Sequence, residues 1–410
     1  SIGVYYLGEL AFRHIHENSK EFFNPEISVE DWNLFKNTFL IACLLHDCGH
    51  SPFSHTFEHY YLYQKEEAIK NKIAEYFTDE PSFAEDYIRA APAPHEKISA
   101  LILLSKYFKS LKDNNADPLL AARMIMGCKY TVSPNLKSKF KNKLISLLNG
   151  NGIDVDSLDY IQRDSWASGV SNVNIDYHRL FTSIMIKPDE NGKPQIVFKK
   201  HVLSVLENIS IGRNFLYKWI YSHHKVTYEQ DLLSSIISKI NKDSDDEFCE
   251  KAFSVETFYE PQVFKNLSFY LPTDDDIIYA IKQFYTTDTK IQELLSRQHY
   301  YKALWKTYFE FNDAHFNKVG NSGRMEIFSK VKKGALSEKY GNEILCLPAK
   351  PKLKGISQND FFIEIDNKLI DASKASNLTN ENLDYFLLYI SDKLSGEKEN
   401  IIKSIIDLHS

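Results

Sequence analysis

The stretch HDCGHSPFSHTFEH, residues 46–59, decides the fold class, because it follows a long apolar run and concentrates imidazole and carboxylate groups. His46 and Asp47 stand side by side at its start. Consecutive helical positions diverge by about 100°, so both side chains can reach one metal ion. Four more groups of these types follow in the same stretch: His50, His55, Glu58 and His59. With only 14 histidines in 410 residues, this density is too high for a solvated face.

The residues before this stretch predict a helix that carries His46 inward. Segment 28–45 opens with the capping pattern SVED and continues with apolar residues at helical spacing. Gly49 then allows a tight turn, and Pro52 begins the next segment with a fixed φ. We therefore expect His50 and His55 to come from a rigid loop and a helix N-terminus, on the same side as the preceding pair.

A second motif supplies carboxylates that could provide a third metal ligand. Residues 151–164 read NGIDVDSLDYIQRD, in which Asp156, Tyr160 and Arg163 or Asp164 fall on one face of a short helix. Four acids around an apolar stripe are costly unless a metal or ligand compensates them. A metal held by two protein ligands is held weakly, so a third carboxylate is expected from this acidic cluster.

Together, HDxGHxPFSH and NGIDVDxxDYxxRD resemble the motifs of HD-domain phosphohydrolases of the deoxynucleoside triphosphate triphosphohydrolase kind. The resemblance covers roughly residues 1–230 through its motifs. It implies a mainly α fold: a helical HD-domain core with a small β-hairpin and a smaller α+β C-terminal region. It also implies that His46, Asp47 and Asp156 bind one divalent metal ion, with Mn, Mg, Fe, Zn and Ni all open.

The resemblance further implies that His50, His55 and His95 surround the phosphates of the substrate. Glu58 stands where relatives often have Asp, and it is expected to pair with His95. His50, Glu58 and His95 are therefore the expected catalytic residues. His95, polarised by Glu58, could donate a proton to the leaving oxygen.

Two further positions concern the sugar and the phosphates. Tyr160 and Asp164 match residues that contact the deoxyribose in the family. Ser157 stands where some relatives place a Lys after the metal-binding Asp. This difference puts one phosphate contact, and with it the preference for triphosphates, in doubt.

The segment IGRNFLYKWIYSHHKV, residues 211–226, aligns with a family helix that runs Arg, Tyr, His. Arg213, Tyr217 and Tyr221 lie four apart, which places a guanidinium and two rings on one helical face. Such spacing alone is more typical of a packed helix. With the two motifs upstream it predicts substrate binding, because a guanidinium suits a terminal phosphate and rings suit a sugar or base. The doubled His at 223–224 breaks this register.

The first metal ligand of the family is a His directly before a segment that reads SIGV. This chain begins with Ser1-Ile2-Gly3-Val4, so we expect the ligand to be the residue before Ser1, in a longer natural chain. His14 and His16 are the other candidates. His14, on the following helix, suits a structural role better.

The implied activity is metal-dependent hydrolysis of a deoxynucleoside triphosphate to the deoxynucleoside and tripolyphosphate. One alternative is another HD phosphohydrolase, a nucleotidase or phosphodiesterase, on the same core. The other is a non-catalytic nucleotide-sensing or assembly subunit. The expected partners are the nucleotide substrate, a nucleotide activator and further copies of the chain, because relatives usually form homo-oligomers.

The amino-acid composition limits the class of protein that these motifs can belong to. The chain is 43% hydrophobic and 25% charged, which indicates a globular protein. Its apolar runs are far shorter than the roughly 18 residues that span a bilayer, and no leader is evident. Five cysteines without zinc-site spacing indicate reduced thiols and a cytoplasmic location. A net charge of −6 argues against general nucleic-acid binding, and the Lys-rich run at 331–354 is predicted to be a solvated face.

Periodicity also predicts the organisation of the chain. Helical spacing dominates residues 5–170, and a β-hairpin is expected at 185–200 around Asn191-Gly192. The predicted division is an HD phosphohydrolase domain at 1–250 and a C-terminal α+β region at 251–410. In the latter, EILCLPA at 343–349 and FFIEIDNKLIDAS at 361–373 are the predicted strands.

Overall fold

The structure is a computed structural model. It describes residues 1–62, 65–150, 152–170, 173–284, 288–312, 316–317, 319–349, 351–356, 360–378, 380–383 and 385–408. The described residues form two compact units. The first contains residues 1–213, 249–274 and 354–379, and the second contains residues 214–248, 275–353 and 380–410.

The fold is mainly helical, as the sequence predicts. The α-helices are α1 Ile2–Phe23, α2 Val29–Leu45, α3 Glu58–Leu62, α4 Glu66–Ala74, α5 Phe83–Ala90, α6 Pro94–Asp113, α7 Pro118–Ile125, α8 Leu136–Leu148, α9 Val155–Ala167, α10 Tyr177–Ser183, α11 Leu203–Leu216, α12 His224–Asp243, α13 Glu247–Ala252, α14 Asp274–Phe284, α15 Thr289–Ser296, α16 Tyr308–Phe311, α17 Asn321–Lys332, α18 Ser337–Tyr340, α19 Ala372–Ala375 and α20 Lys398–Asp407. Short 3₁₀ turns cover Ser54–Thr56, Glu75–Phe77, Lys200–Val202, Val255–Phe258 and Asp392–Glu397, and Tyr217–Tyr221 is a π-helical turn. None of the helices in the described ranges is both long and apolar enough to cross a membrane.

The strands are short and belong to small sheets. They are β1 Met185–Pro188, β2 Pro194–Lys199, β3 Gln262–Phe264, β4 Leu267–Phe269, β5 Tyr301–Ala303, β6 Ile344–Ala349, β7 Lys352–Leu353, β8 Phe362–Ile365, β9 Lys368–Asp371, β10 Glu381–Asn382 and β11 Tyr385–Ser391. The first unit holds the sheet β1-β2-β8-β9 and the hairpin β3-β4. The second holds the antiparallel sheet β5-β11-β6 and the pair β10-β7.

The predicted hairpin and strands are confirmed. In the hairpin, Met185 pairs with Val197, and Gly192 takes the positive φ of +70° that the turn requires. The predicted strands at 343–349 and 361–373 are β6 and the pair β8-β9, which turns at Asp366 and Asn367 with positive φ.

The two units do not divide at residue 250, where the sequence suggested a boundary. Strand β2 pairs in parallel with β8, with Val197 opposite Phe362, so residues 354–379 return to the first unit. A parallel pair joins segments that are distant in sequence, and no local pattern announces it. The assignment of 1–250 and 251–410 as domains stays a prediction.

The core of the first unit explains the position of His46. Helix α2 begins with the predicted capping box, in which Ser28 and Asp31 each bond the other's backbone N–H at 3.2 Å. Trp32, Phe35, Phe39 and Cys43 are buried along one stripe of this helix. Burying each of the large side chains contributes about 2 kcal/mol. His46 continues the stripe at the C-cap and is therefore carried into the interior.

Candidate metal and phosphate site

Three predicted metal ligands converge in the first unit. The Nε2 atom of His46 lies 3.1 Å from Oδ2 of Asp47 and 3.2 Å from Oδ1 of Asp156, although Asp156 is 110 residues away in sequence. Cis ligands of an ion with bonds of about 2.1 Å are roughly 3 Å apart. The three side chains could therefore hold one metal ion with little movement.

The donor set itself fits a cation. The Nδ1 atom of His46 lies 2.9 Å from the carbonyl oxygen of Cys43. Because a carbonyl only accepts, Nδ1 carries the proton and Nε2 is left with a lone pair. That lone pair faces two carboxylate oxygens, and the three atoms repel one another unless a cation lies between them. A divalent ion or a second proton on His46 satisfies all three atoms.

The pKa values express the same demand for positive charge. Burial disfavours the protonated form of His46, but hydrogen bonds and charges of Asp156 and Asp47 outweigh it and raise the pKa of His46 to about 10. Burial of Asp47 is likewise outweighed by hydrogen bonds to His46 and His50, which hold the pKa of this carboxyl well below its usual range. The site thus retains a proton where an ion would sit.

A second group lies beside the first and is built mainly from imidazoles. The Nδ1 atom of His95 is 2.8 Å from Oε2 of Glu58, and Nδ1 of His55 is 3.3 Å from Oε1 of the same carboxylate. The rings of His50 and His95 stack at 4.1 Å with an angle of 9°. Burial of Glu58 is outweighed by the hydrogen bonds from His55 and His95, so the pKa of Glu58 falls to about 2. This group too could hold an ion.

The backbone reaches this arrangement only partly as predicted. Gly49 allows close approach to α6: a Cβ there would lie 2.4 Å from the backbone N of Ser99. Residues 46–49 form the predicted turn, in which the N–H of His50 donates to the carbonyl of Asp47 at 3.2 Å. A second turn, not predicted, follows at Phe53 and Ser54 with φ of 59° and 51°. Pro52 lies inside this turn and does not begin a helix, because the turn is followed by a 3₁₀ segment and α3 starts only at Glu58.

Helix α9 sorts the four acids of the second motif into different tasks. Asp154 is the N-cap, and its Oδ1 accepts a hydrogen bond of 2.7 Å from Ser157 N. Burial and the charge of Asp156 raise the pKa of Asp154 to about 7. The hydroxyl of Ser157 donates to the carbonyl of Asp154 at 2.8 Å, so this side chain completes the cap. Only Asp156 of the four belongs to the metal group.

The other two acids of α9 pair with one arginine. Arg163 lies 3.1 Å from Asp159 and 2.9 Å from Asp164. Helix α1 begins directly against Asp159, since a Cβ on Gly3 would lie 1.9 Å from Oδ1 of this carboxylate. Asp164 is half-buried, as is Tyr160 one turn earlier. Their contact with a sugar stays a prediction.

The predicted face of Arg213, Tyr217 and Tyr221 is not one regular α-helix. Arg213 lies on α11 and ends segment 1–213 of the first unit, whereas the tyrosines belong to the second unit. Tyr217–Tyr221 is a π-helical turn, which shifts the register after Leu216. The two tyrosine rings still meet, at 5.2 Å and 86°. After this turn His223 is the N-cap of α12.

The remaining histidine candidates have other partners. Nδ1 of His14 lies 3.3 Å from Glu17, and the ring of His16 packs 4.7 Å from Trp32. Neither belongs to the two groups that could hold an ion. Two contacts were not predicted from the sequence: the Cys43 carbonyl that orients His46, and the Ser54 hydroxyl 3.2 Å from Nδ1 of His50. The i−3 carbonyl at a helix end was the available signal for the first.

Comparison with known proteins assigns the family. Residues 1–125 match the HD domain family. This chain contains an HD domain. An uncharacterised protein of Mycoplasma genitalium is 27% identical over 391 residues, which is 90% of this chain and 83% of that protein. The deoxynucleoside triphosphate triphosphohydrolase SAMHD1 of Gallus gallus is 27% identical over 223 residues, 54% of this chain but only 34% of that protein.

A solved structure shares the fold of the HD-domain chain. The crystal structure of a phosphohydrolase from Bacteroides thetaiotaomicron superposes with a TM-score of 0.59. It is 19% identical and covers 95% of this chain and 86% of that one. The HD domain found by comparison ends before Asp156, so the third ligand of the metal group comes from outside the matched residues.

Proposed function

We propose that this HD-domain chain hydrolyses deoxynucleoside triphosphates to the deoxynucleoside and tripolyphosphate, with a divalent metal ion at His46, Asp47 and Asp156. The observation that carries the proposal is the contact between the two groups. Asp47 reaches His46 through Oδ2 at 3.1 Å and His50 through Oδ1 at 3.4 Å. A cation site and an imidazole group are thereby joined, as hydrolysis of a phosphate ester requires.

The reaction breaks the bond between the α-phosphorus and O5′, while water supplies the oxygen that the phosphorus gains. Phosphate oxygens repel hydroxide, so their charge must be neutralised. A bound divalent ion would polarise a phosphoryl oxygen and lower the pKa of its water toward about 7. His50 and His55 are proposed to line the space that the other phosphate oxygens occupy.

The leaving O5′ must receive a proton, and His95 is the proposed donor. Its Nδ1 donates to Glu58 at 2.8 Å, which fixes the ring and leaves Nε2 for the substrate. Glu58 stabilises the positive charge that His95 carries before it gives up the proton. Glu58, which stands where relatives often have Asp, also lies 3.3 Å from Nδ1 of His55 through its Oε1.

The nucleoside triphosphate class rests on the likeness to SAMHD1, which is itself such an enzyme, and on the predicted contacts of Tyr160 and Asp164 with the sugar. Arg213, Tyr217 and Tyr221 are proposed to bind the outer phosphates and the base. Ser157 is neutral, and its hydroxyl belongs to the N-cap of α9. Arg213 is therefore proposed to supply the positive charge that neutralises the outer phosphates.

The test is a metal-resolved assay of purified protein with the four dNTPs, the four ribonucleotides and the deoxynucleoside monophosphates. The proposal predicts tripolyphosphate and free deoxynucleoside as the only products of dNTPs. Monophosphates cleaved as fast as triphosphates would favour a nucleotidase. Nucleotide binding without turnover at any metal would favour the non-catalytic sensor.

We also propose that a nucleotide activator binds in the second unit. Two cavities of 240 and 420 Å³ share His224 and Lys306 and together include Lys218, Lys225 and Lys302. Burial, together with the charges of His223, Lys306 and Lys225, lowers the pKa of His224 to about 4. Tyrosines 228, 308, 385 and 389 also line these cavities. Cations beside rings suit a nucleotide with several phosphates.

This site is tested by equilibrium binding of a non-hydrolysable dNTP to Lys306→Ala, with Lys403→Ala as the control. Lys403 is an exposed lysine of the same unit on α20. Loss of a second class of bound nucleotide in Lys306→Ala alone would support the proposal. Equal binding by both variants would contradict it.

The Lys-rich run at 331–354, predicted to be a solvated face, does not supply the lysines of these cavities. Its residues Lys332, Lys333 and Lys339 are exposed.

Assembly and location complete the proposal. A homo-oligomer is proposed from the habit of the family, and light scattering of the purified protein tests it. A cytoplasmic location is proposed from the cysteines, all five of which are free thiols in the described residues.

A further inference from the structure

We infer that Asp274 is a positioning residue for the candidate active site, because it holds the turn that orients His50. The inference rests on the proposed function, in which His50 faces the phosphates. Asp274 is the first residue of α14 and ends segment 249–274 of the first unit. It lies 221 positions beyond Phe53, which belongs to the turn that it contacts.

The contact is a single hydrogen bond to a strained backbone. The N–H of Phe53 donates to Oδ1 of Asp274 at 2.7 Å. Phe53 has φ 59° and ψ 24°, and Ser54 follows with φ 51°. Left-handed conformations are unfavourable for residues that carry a side chain and persist only when their surroundings enforce them. A charge-assisted bond to a carboxylate is a suitable restraint.

The turn passes this restraint on to His50. The hydroxyl of Ser51 donates to the carbonyl of Ser54 at 2.8 Å, which closes the turn. Oγ of Ser54 lies 3.2 Å from Nδ1 of His50. Because this hydroxyl can donate to Nδ1, the proton of His50 is placed on Nε2.

The last link joins His50 to the metal group. Nε2 of His50 lies 3.4 Å from Oδ1 of Asp47, the oxygen that does not face His46. Partners of this kind orient ligand carboxylates, and their loss typically costs 10- to 100-fold in metal affinity or activity. Asp274 thus acts on the site through three side chains and touches none of the reacting atoms.

Three variants separate positioning from simple structural support. Asp274→Ala removes the acceptor, Asp274→Asn keeps an oxygen that can accept from Phe53, and Asp275→Ala is the matched control on the same exposed turn of α14. We expect Asp274→Ala to lower kcat about 5- to 10-fold with KM changed less than about twofold. Asp274→Asn should recover most of this loss, and Asp275→Ala should equal the unmodified protein.

A double-mutant cycle tests the route through Ser54. If Asp274 acts through the Ser54 hydroxyl, Asp274→Ala should cost less than about twofold in a Ser54→Ala background. Fully additive losses would overturn the inference, as would an equal loss in Asp275→Ala. Similar melting temperatures of Asp274→Ala and Asp275→Ala check that the variants are folded.

A spectroscopic readout keeps this test apart from the proposed function. With ¹⁵N-labelled histidine, the resonances of His50 are identified by their absence in His50→Gln. Asp274→Ala should shift the Nδ1 and Nε2 resonances of His50, and Asp275→Ala should not. Unchanged His50 resonances would overturn the inference even if dNTPs are hydrolysed. Shifted resonances in a protein without dNTP hydrolysis would support it while the proposed function fails.

Discussion

Two groups built from the same side-chain types lie next to each other in the first unit, yet their compositions are opposite. The group of His46, Asp47 and Asp156 has two carboxylates for one imidazole, whereas the group around Glu58 has three imidazoles for one carboxylate. His46 is buried, while His55 exposes 70% of its side chain. The first group therefore demands a cation, and the second can accept protons and face an anion. Ratio and exposure decide the ligand more than residue type does.

The number of bound metal ions tests this difference most strongly, because both groups have the geometry to hold an ion. We expect one divalent ion per chain. Asp47→Ala should lose it and should lower dNTP hydrolysis by at least about 10³-fold, because the phosphate charge and the water are no longer compensated. Metal analysis by mass spectrometry and the tripolyphosphate assay measure both effects.

The control for ion counting lies in the second group. His55→Ala should keep the ion, since the exposed imidazole is outside the carboxylate-rich site. Two ions per chain in the unmodified protein, or an ion retained by Asp47→Ala, would show that the two groups do not differ as proposed.

The next test concerns proton transfer in the second group. Glu58→Gln should slow turnover about 10²-fold and retain the ion, because a neutral amide no longer stabilises protonated His95. Single-turnover kinetics with metal analysis measure this. His59→Ala, next to Glu58 but outside the group, is the control and should be unaffected. An unchanged turnover number in Glu58→Gln would move the proton donor elsewhere, first to His50.

The predictability of the two groups differs for a physical reason. His46 and Asp47 follow from local information, because a capped helix with a buried stripe ends at them. Asp156 follows from a helix whose N-cap is also local. What the pattern could not give was the sorting of its acids, since only the fold shows that Asp154 is used as a cap and Asp159 is paired with Arg163.

The parts that sequence reasoning placed less well depend on non-local contacts. The left-handed turn at Phe53 and Ser54 involves residue types that rarely adopt it, and it is held by Asp274, 221 positions away from Phe53. The return of β8 and β9 to the first unit is also a long-range pairing. The π-helical turn at Tyr217–Tyr221 interrupts a spacing that looked regular in one dimension.

A smaller effect is expected from the residues that are proposed to bind the substrate. If the imidazole group and Arg213 share the phosphates, Arg213→Ala should reduce kcat/KM for dNTPs about 10- to 100-fold and affect monophosphates much less. Asp164→Ala should raise KM for dNTPs and blur the discrimination against ribonucleotides. Steady-state kinetics with dNTP, NTP and dNMP measure these ratios.

The control for Arg213 is Arg89→Ala, which removes an exposed guanidinium paired with Glu85. It should leave all three substrate classes unchanged. Equal losses for triphosphates and monophosphates in Arg213→Ala would contradict the triphosphohydrolase assignment and favour a nucleotidase at the same metal group.

The smallest expected effect concerns pH and tests whether the second group is a proton-binding one. The hydrogen bond that His55 donates to Glu58 raises the pKa of His55 above its usual 6.5 in the folded protein. A raised pKa stabilises the fold fully below the unfolded value of about 6.5, and this contribution is lost as pH rises through the folded pKa. Because His55 is largely exposed, the gain is below about 1 kcal/mol.

Glu58→Gln should therefore lower Tm by about 1–2 °C more near pH 6 than near pH 9. Thermal melts of the two proteins in chelator, so that bound metal does not vary, measure the difference. Glu67→Gln is the matched control, because Glu67 pairs with Lys70 at 3.1 Å and a lysine stays charged across this range. Its deficit should be constant with pH. A Tm deficit of Glu58→Gln that grows toward pH 9 would mean that Glu58 does not favour the protonated form of His55. The contrast between the two groups would then rest on exposure alone.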